Sequence, residues 1–278
     1  MIKKQQVLTI LRYTIICVFA ISMILPVFWM FITSFKDPMK VFSRPIDWWV
    51  DSFDFSNYTK LFTKYNGWRY IWNTIRLCAI NVVGVVLSNS IVAYAMAFKK
   101  FKHKKKLLVL MLATMMMPGT VTFFPRFLVF VELGWYGTLL PLWVPSFLGN
   151  AYYIFLLRQY YLSIPQYIID AARVSGCNDL QMLIKVVLPM SRPVLTIMVL
   201  GTFIGTWSDL FNPLIYILNE KDKTFPLLLT LLKDSYGNNG TLPSIMAGGL
   251  IAAIPTLLVY FLGQRYMNKA YVFRSGDR

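Results

Sequence analysis

The 278-residue sequence has one histidine, three cysteines and twelve acidic residues, and each shortage closes off a class of chemistry. His103 stands alone inside a lysine run, with no histidine, cysteine or carboxylate at ligand spacing, so no metal centre is expected. Cys17 and Cys78 fall inside apolar runs and Cys177 in a polar loop, so no disulfide framework is implied. No Gly-Lys pair exists to build a phosphate-binding loop, so any nucleotide is handled by another chain. Paired carboxylates and nucleophile–base sets are missing from the apolar runs, which argues against an enzyme. The absence of several buried acids or histidines argues against an ion-driven transporter built on a proton relay.

Charge as a whole is scarce. Only 14% of residues are charged against 57% hydrophobic, with a mean hydropathy of +0.55, where a soluble domain carries about 25% charged residues. A chain with so little polar surface is solvated by lipid. Residues 13–35, 77–98, 107–125, 133–157 and 235–264 contain no Lys, Arg, Asp or Glu, and residues 193–218 are interrupted only by Asp209. Crossing a hydrocarbon core of about 30 Å takes about 20 residues of helix. Backbone amides in lipid must be satisfied within the segment, and no short alternating strands occur. The sequence therefore predicts an all-α integral membrane protein with six transmembrane helices near residues 13–34, 70–98, 106–127, 142–161, 193–218 and 244–264. Pro26, Trp29 and Phe35 occupy the region where a small-residue cleavage site would sit, so the first run reads as a retained anchor. Pro26, Pro118, Pro145, Pro213 and Pro255 bend these helices, for packing, for a moving pathway, or for both.

The net charge of +16 is distributed by side. With six spans both termini share one face with the loops after the second and fourth helices. That face gathers Lys99, Lys100, Lys102, Lys104, Lys105, Lys106, Arg158, Arg173, Lys185 and Arg192, against only Asp170, Asp179 and Asp277. This is the positive-inside pattern, which places the termini and those loops in the cytoplasm and rests the lysine run near anionic lipid. It excludes nucleic acid as the partner of the basic residues. The expected organisation is a cytoplasmic tail (1–12), a transmembrane domain (13–267) holding a cytoplasmic loop (163–192), and a second tail (268–278). An aromatic external segment around residues 47–62 is expected to contain a short helix near Asn57 to Phe62.

The loop from Ser163 to Arg192 is the most informative stretch. Ser163 with Gln166, and Asn178 with Gln181, have the spacing of capping boxes that start two helices. Gly176 sits where a left-handed residue would end the first. Leu180, Leu183, Val186 and Val187 fall on one face of the second, which predicts an amphipathic helix stopped by Pro189 and Pro193. Such a pattern serves equally for a helix lying on lipid. Ala171, Ala172 and Asp170 on the first helix favour insertion into a partner's cleft.

The run from Asp170 to Pro189, DAARVSGCNDLQMLIKVVLP, resembles the EAA loop of binding-protein-dependent ABC importer permeases. Asp170, Ala171, Ala172, Gly176, Val186, Leu188 and Pro189 match its pattern, with Asp170 standing where the family has glutamate. FKDPMKVF, NYTKLF, MMMPGTVTFFP, FLLRQYYLSIP, GTWSDLFNPL and QRYMNKAYV are similar to the carbohydrate branch, in particular its shorter maltose-type permease. The resemblance implies a type I ABC importer permease fold in a bacterial cell membrane. It also implies a non-catalytic, cofactor-free subunit that forms a sugar pathway with a second permease, served by two ATPase subunits and an external sugar-binding protein. It assigns ATPase coupling by alternating access to Asp170, Ala171, Ala172, Arg173, Gly176, Leu188 and Pro189.

Two further groups are expected to matter. Asp209, with Trp207 and Asn212 in WSDLFNP, is an intramembrane acid that either lines the pathway or makes a structural hydrogen bond near Pro213. Trp207 either stacks on a sugar or packs. Tyr236, Gly237, Asn238, Asn239 and Gly240 form a turn cluster, read either as a binding-protein contact, as the resemblance suggests, or as an exposed connector.

Overall fold

Proline and glycine decide where this chain's helices stop. The computed structural model describes residues 2–41, 45, 48–50, 52–235 and 242–275, and every regular element among them is helical. In chain order, apart from short 3-10 turns at Pro38–Lys40, Val144–Phe147 and Glu220–Asp222, these are α1 (Ile2–Ser34), α2 (Ser56–Thr63), α3 (Gly67–Phe98), α4 (Lys104–Met115), α5 (Gly119–Glu132), α6 (Leu140–Trp143) and α7 (Ala151–Leu162). Then come α8 (Gln166–Val174), α9 (Asp179–Met182), a π-turn (Leu183–Val187), α10 (Leu188–Met190), α11 (Arg192–Trp207), α12 (Phe211–Tyr216), α13 (Phe225–Ser235) and α14 (Leu242–Ser275). Four stretches are long and apolar enough to cross a membrane: Gln6–Ser34, Gly67–Phe98, Leu140–Leu162 and Leu242–Gln264. Two bent pairs raise the number to six, if α4 with α5 (102°) and Asp179–Met190 with α11 (84°) each count as one.

The expected spans are present, and their ends and continuity differ from the sequence reading. Charged residues do not stop α1 or α14, which run on past the apolar windows. The third span breaks at Met116–Pro118, where Pro118 holds an extended φ of −60° and ψ of 134°. The fifth divides between α11 and α12. The helix expected near Asn57–Phe62 is α2, whereas α13 was not foreseen.

The chain forms two bodies, residues 1–68 with 228–255, and residues 69–227 with 256–278. In the first, Ile32, Phe35 and Val50 make a small core with Tyr58 against it. Phe35 meets Phe53 and Phe55 edge-on at 5.1 and 5.2 Å, and the Lys36 ammonium lies 4.7 Å above the Trp29 ring. Buried Asn57 donates from Nδ2 to the carbonyls of Ser34 and Lys36, both at 3.0 Å, satisfying the end of α1.

In the second body the core lies where Ala93, Tyr94 and Ala97 of α3 meet Leu157 and Tyr161 of α7, Ile169 of α8, and Val194 and Met198 of α11. The fourth span is not one continuous helix. Pro145 and a coil over residues 148–150 leave polar backbone exposed between α6 and α7, and α3 supplies the partners. Asn81 Nδ2 donates to the Leu142 carbonyl at 3.0 Å, while Asn81 Oδ1 accepts from the Ser146 hydroxyl. The Ser88 hydroxyl lies 3.0 Å from the Ser146 carbonyl, and Asn89 Oδ1 accepts the Asn150 N–H at 2.7 Å. Residues 81, 88 and 89 share one face of α3, forming a polar seam that replaces the missing helix bonds. Gly84 lies on the same face because a Cβ there would meet the Phe147 ring at 2.7 Å.

Candidate functional site

The loop from Ser163 to Arg192 carries two helical segments joined at Gly176. Ser163 does not cap α8; its hydroxyl turns back to the Tyr160 carbonyl at 2.7 Å, and α8 starts after Pro165 with no side-chain cap. The Gln166 side chain instead donates to Asp170 Oδ1 at 3.0 Å. At the other end, the Gly176 N–H reaches the Arg173 carbonyl at 2.9 Å and the Cys177 N–H reaches the Ala172 carbonyl at 3.1 Å. This is a Schellman motif, with Gly176 in the left-handed region at φ +81° and half-buried Ala172 and Cys177 as its apolar contact. A Cβ on Gly176 would meet nothing within 4 Å, so glycine is required by backbone conformation rather than by space.

The capping box at the second helix is present in full. Asn178 Oδ1 accepts the Gln181 N–H at 2.8 Å, and Gln181 Oε1 accepts the Asn178 N–H at 3.1 Å. The buried face differs from the one expected. Met182, Leu183 and Val187 are buried, whereas Leu180 is 63% exposed. The five-residue π-turn breaks the 3.6-residue period on which that expectation rested, and it ends at Val187, two residues before Pro189, whose ring could not follow an ordinary helical turn without clashing.

Of the loop residues singled out by pattern, Ala172 and Leu188 turn towards the core, while Asp170, Ala171, Arg173, Gly176 and Pro189 are exposed. Asp170 faces Arg173 one turn later at 3.6 Å, a pair about half exposed on each side. α8 therefore buries Ile169 and projects Tyr167, Asp170, Ala171 and Val174, with Tyr167 72% and Val174 91% exposed. The Asp179 carboxyl is held below the usual carboxylate range, chiefly by its hydrogen bond from the Lys99 ammonium.

A second site lies at the opposite end of α11. A cavity of about 290 Å³ is lined by Asn81, Ser146, Tyr153, Thr202, Thr206 and Asp209 among others. The Thr202 hydroxyl is buried without a hydrogen-bond partner. Asp209 sits in the break between α11 and α12, where Oδ1 accepts the Asn212 N–H at 3.1 Å and Oδ2 accepts from Asn212 Nδ2 at 2.7 Å. Arg126 of α5 reaches Asn212 Oδ1 at 3.4 Å, extending this chain of polar groups. Asp209 thus lines this cavity and also accepts the Asn212 N–H in the break ahead of Pro213. Trp207 is 2% exposed and stacked on Phe203 at 6.0 Å. Asn81 and Arg126 were missed by sequence reasoning, although the spacing of Asn81, Ser88 and Asn89 on one helix face is a legible signal. Residues Tyr236, Gly237, Asn238, Asn239 and Gly240 lie outside the described residues. Among the described residues no cluster of three metal-ligating side chains occurs.

Comparison with known proteins gives this geometry a context. Residues 86–272 match the family described as binding-protein-dependent transport system inner membrane component. The arabinooligosaccharides transport system permease protein AraQ of Halalkalibacterium halodurans is 28% identical over 76% of this chain and 75% of its own length. The lactose transport system permease protein LacG of Rhizobium radiobacter is 24% identical over 94% of both chains. Among solved structures, a chain of a bacterial ABC transporter involved in the import of the acidic polysaccharide alginate superposes with a TM-score of 0.83. It is 25% identical, covering 94% of this chain and 96% of that one.

Proposed function

The chain belongs to the family of binding-protein-dependent transport system inner membrane components, with the type I ABC importer permease fold, and from that premise we propose that it imports a sugar or oligosaccharide. It is a multi-pass membrane protein. In this reading it pairs with a second permease, and two ATPase subunits hydrolyse ATP on its cytoplasmic side. An external sugar-binding protein delivers the substrate, and Tyr236 to Gly240 contribute to its docking. The chain itself is non-catalytic, and no cofactor enters its role.

Carbohydrate is favoured because the permeases it resembles are named for arabinooligosaccharides and lactose, and the solved relative for alginate import. A cavity lined by amide, hydroxyl and carboxylate groups is chemically suited to a polyol. Asp209 and Asn212 mark the pathway, and Trp207 is buried against Phe203.

One observation carries the ATP-driven part of the proposal: α8 projects an exposed face from a loop whose turn and second helix are both locked by hydrogen bonds. A separate motor needs a rigid lever, and a helix ended by a Schellman turn supplies one. As the ATPases close, α8 travels with them and tilts the helices packed on it, exposing the cavity to alternate sides. Both termini and the 163–192 loop lie in the cytoplasm, as the excess of Lys and Arg on that face supports.

Ala171 gives the direct test, because it is exposed and not part of the buried core. Ala171→Arg should leave membrane insertion and pairing with the second permease intact while abolishing co-purification of the ATPases. Full recovery of the ATPase complex with Ala171→Arg would remove α8 from the docking surface and end this reading.

A further inference from the structure

The carboxylate of Asp179 accepts its two side-chain hydrogen bonds from one neighbouring element. Its Oδ2 lies 2.5 Å from the Lys99 ammonium, and its Oδ1 accepts the Tyr94 hydroxyl at 3.1 Å. Both groups come from the end of α3, Tyr94 in its final turns and Lys99 one residue past its terminus. Asp179 is the first residue of α9, so the capping box at Asn178 fixes its backbone on the loop side. Tyr94 is 7% exposed and packs in the same cluster as Met182, Leu183 and Val187 of the loop.

The α3 side of the clasp is equally stiff. The last carbonyls of a helix have no partner within it. Here Arg158 Nε donates to the Met96 carbonyl at 3.1 Å, and Lys104 Nζ lies 3.1 Å from the Ala97 carbonyl and 2.9 Å from that of Lys99. Two cationic side chains, Arg158 and Lys104, therefore cap carbonyls at the end of α3, and a third, Lys99, reaches from that end to Asp179. What joins the helix to the loop is a buried apolar contact with a two-pronged polar peg at its rim.

Magnitude separates a stabilising role from a positioning one. Lys99 and Asp179 are 47% and 61% exposed along their side chains, and an ion pair so open to water adds little to stability. Bonds from two fixed groups nevertheless set the register of the loop on the end of α3. We propose that Asp179, held by Lys99 and Tyr94, is a positioning residue that makes the 163–192 loop and the inner end of α3 move as one body, so that ATP-driven displacement reaches the second span directly. This rests on the ATPase-coupling reading above.

The test uses the assembled transporter in nanodiscs, this chain with its partner permease and ATPases. Spin labels go at Lys100 and Lys185, both exposed, with the native cysteines replaced by serine. ATP with vanadate should leave the Lys100–Lys185 distance unchanged in the parent. It should lengthen or broaden that distance in Lys99→Ala and in Asp179→Asn, with the double variant no worse than either single one and Lys99→Arg behaving as the parent. Uptake per ATP hydrolysed should fall about threefold in the same variants while thermal stability stays unchanged. Movement of the pair in the parent, fixed distances in the variants, or additive effects in the double variant would each overturn the proposal. Failure of the ATPases to assemble on the parent chain would instead defeat the reading beneath it, so the two failures are told apart.

Discussion

Gly176 offers a graded perturbation whose outcome separates conformation from size. Its φ of +81° is the left-handed region, where a residue with a Cβ loses about 1–2 kcal/mol. A Cβ would meet no atom within 4 Å, so no steric cost within the chain adds to this. That range shifts the balance between closed and open Schellman turn by roughly 5- to 30-fold. Asn tolerates the left-handed region better than Ala, and a β-branched side chain tolerates it worst. Purified complexes carrying Gly176→Asn, Gly176→Ala and Gly176→Val should therefore retain binding-protein-stimulated ATPase activity in the order Gly, Asn, Ala, Val, with basal hydrolysis by the ATPases unaffected. Crowding against the partner's cleft would rank them by bulk, with Ala the best tolerated. Finding Ala above Asn would refute the conformational account of this turn.

Other expectations follow from the same geometry. Asn57→Ala strips two carbonyls at the end of α1 of their donor, and at about 1–3 kcal/mol for each group left unpaired it should lower the thermal midpoint of the detergent-solubilised chain. Asn81→Leu, close in size but unable to donate, should destabilise more than Ser88→Ala, measured the same way, because Asn81 serves two groups of the broken fourth span and Ser88 one. Asp209→Asn keeps an oxygen for the Asn212 N–H and removes the charge; uptake should fall while assembly stays normal, and unchanged uptake kinetics would confine Asp209 to its backbone role. The Asp179 carboxyl is lowered in the folded protein, so its contribution is present above the unfolded value and lost as pH falls through the folded one. The Lys100–Lys185 label distance should accordingly stay flat from neutral pH down to the ordinary aspartate range and change only below that range.

Much of the fold was legible because lipid leaves few options. Charge-free runs of about 20 residues had to be helices. What apolar windows cannot report is continuity. The third, fourth and fifth spans break at Met116–Pro118, at residues 144–150 and at residues 208–210, and the fourth break takes its polar partners from residues distant in sequence. Asn81 lies 61 residues from Leu142, a relation no local pattern encodes. The loop divides in the same way. The Asn178–Gln181 box and the Gly176 turn are made from neighbours and were readable, whereas the π-turn depends on what Pro189 permits and on the core beneath Met182 and Leu183. The capping role expected of Ser163 was lost because α7 runs to Leu162, leaving its hydroxyl closer to the carbonyl of Tyr160 than to α8.

The seam along α3 bears on how the protein is made. Residues 144–150 cannot rest alone among acyl chains, since their amides and carbonyls find no donor or acceptor there. Asn81, Ser88 and Asn89 precede that segment in the chain, so the helix that completes it has already emerged from the ribosome when the fourth span arrives. Biogenesis in the opposite order, as in a circularly permuted gene that starts between the third and fourth spans, would leave the later segment waiting without its counterpart and exposed to quality-control proteolysis.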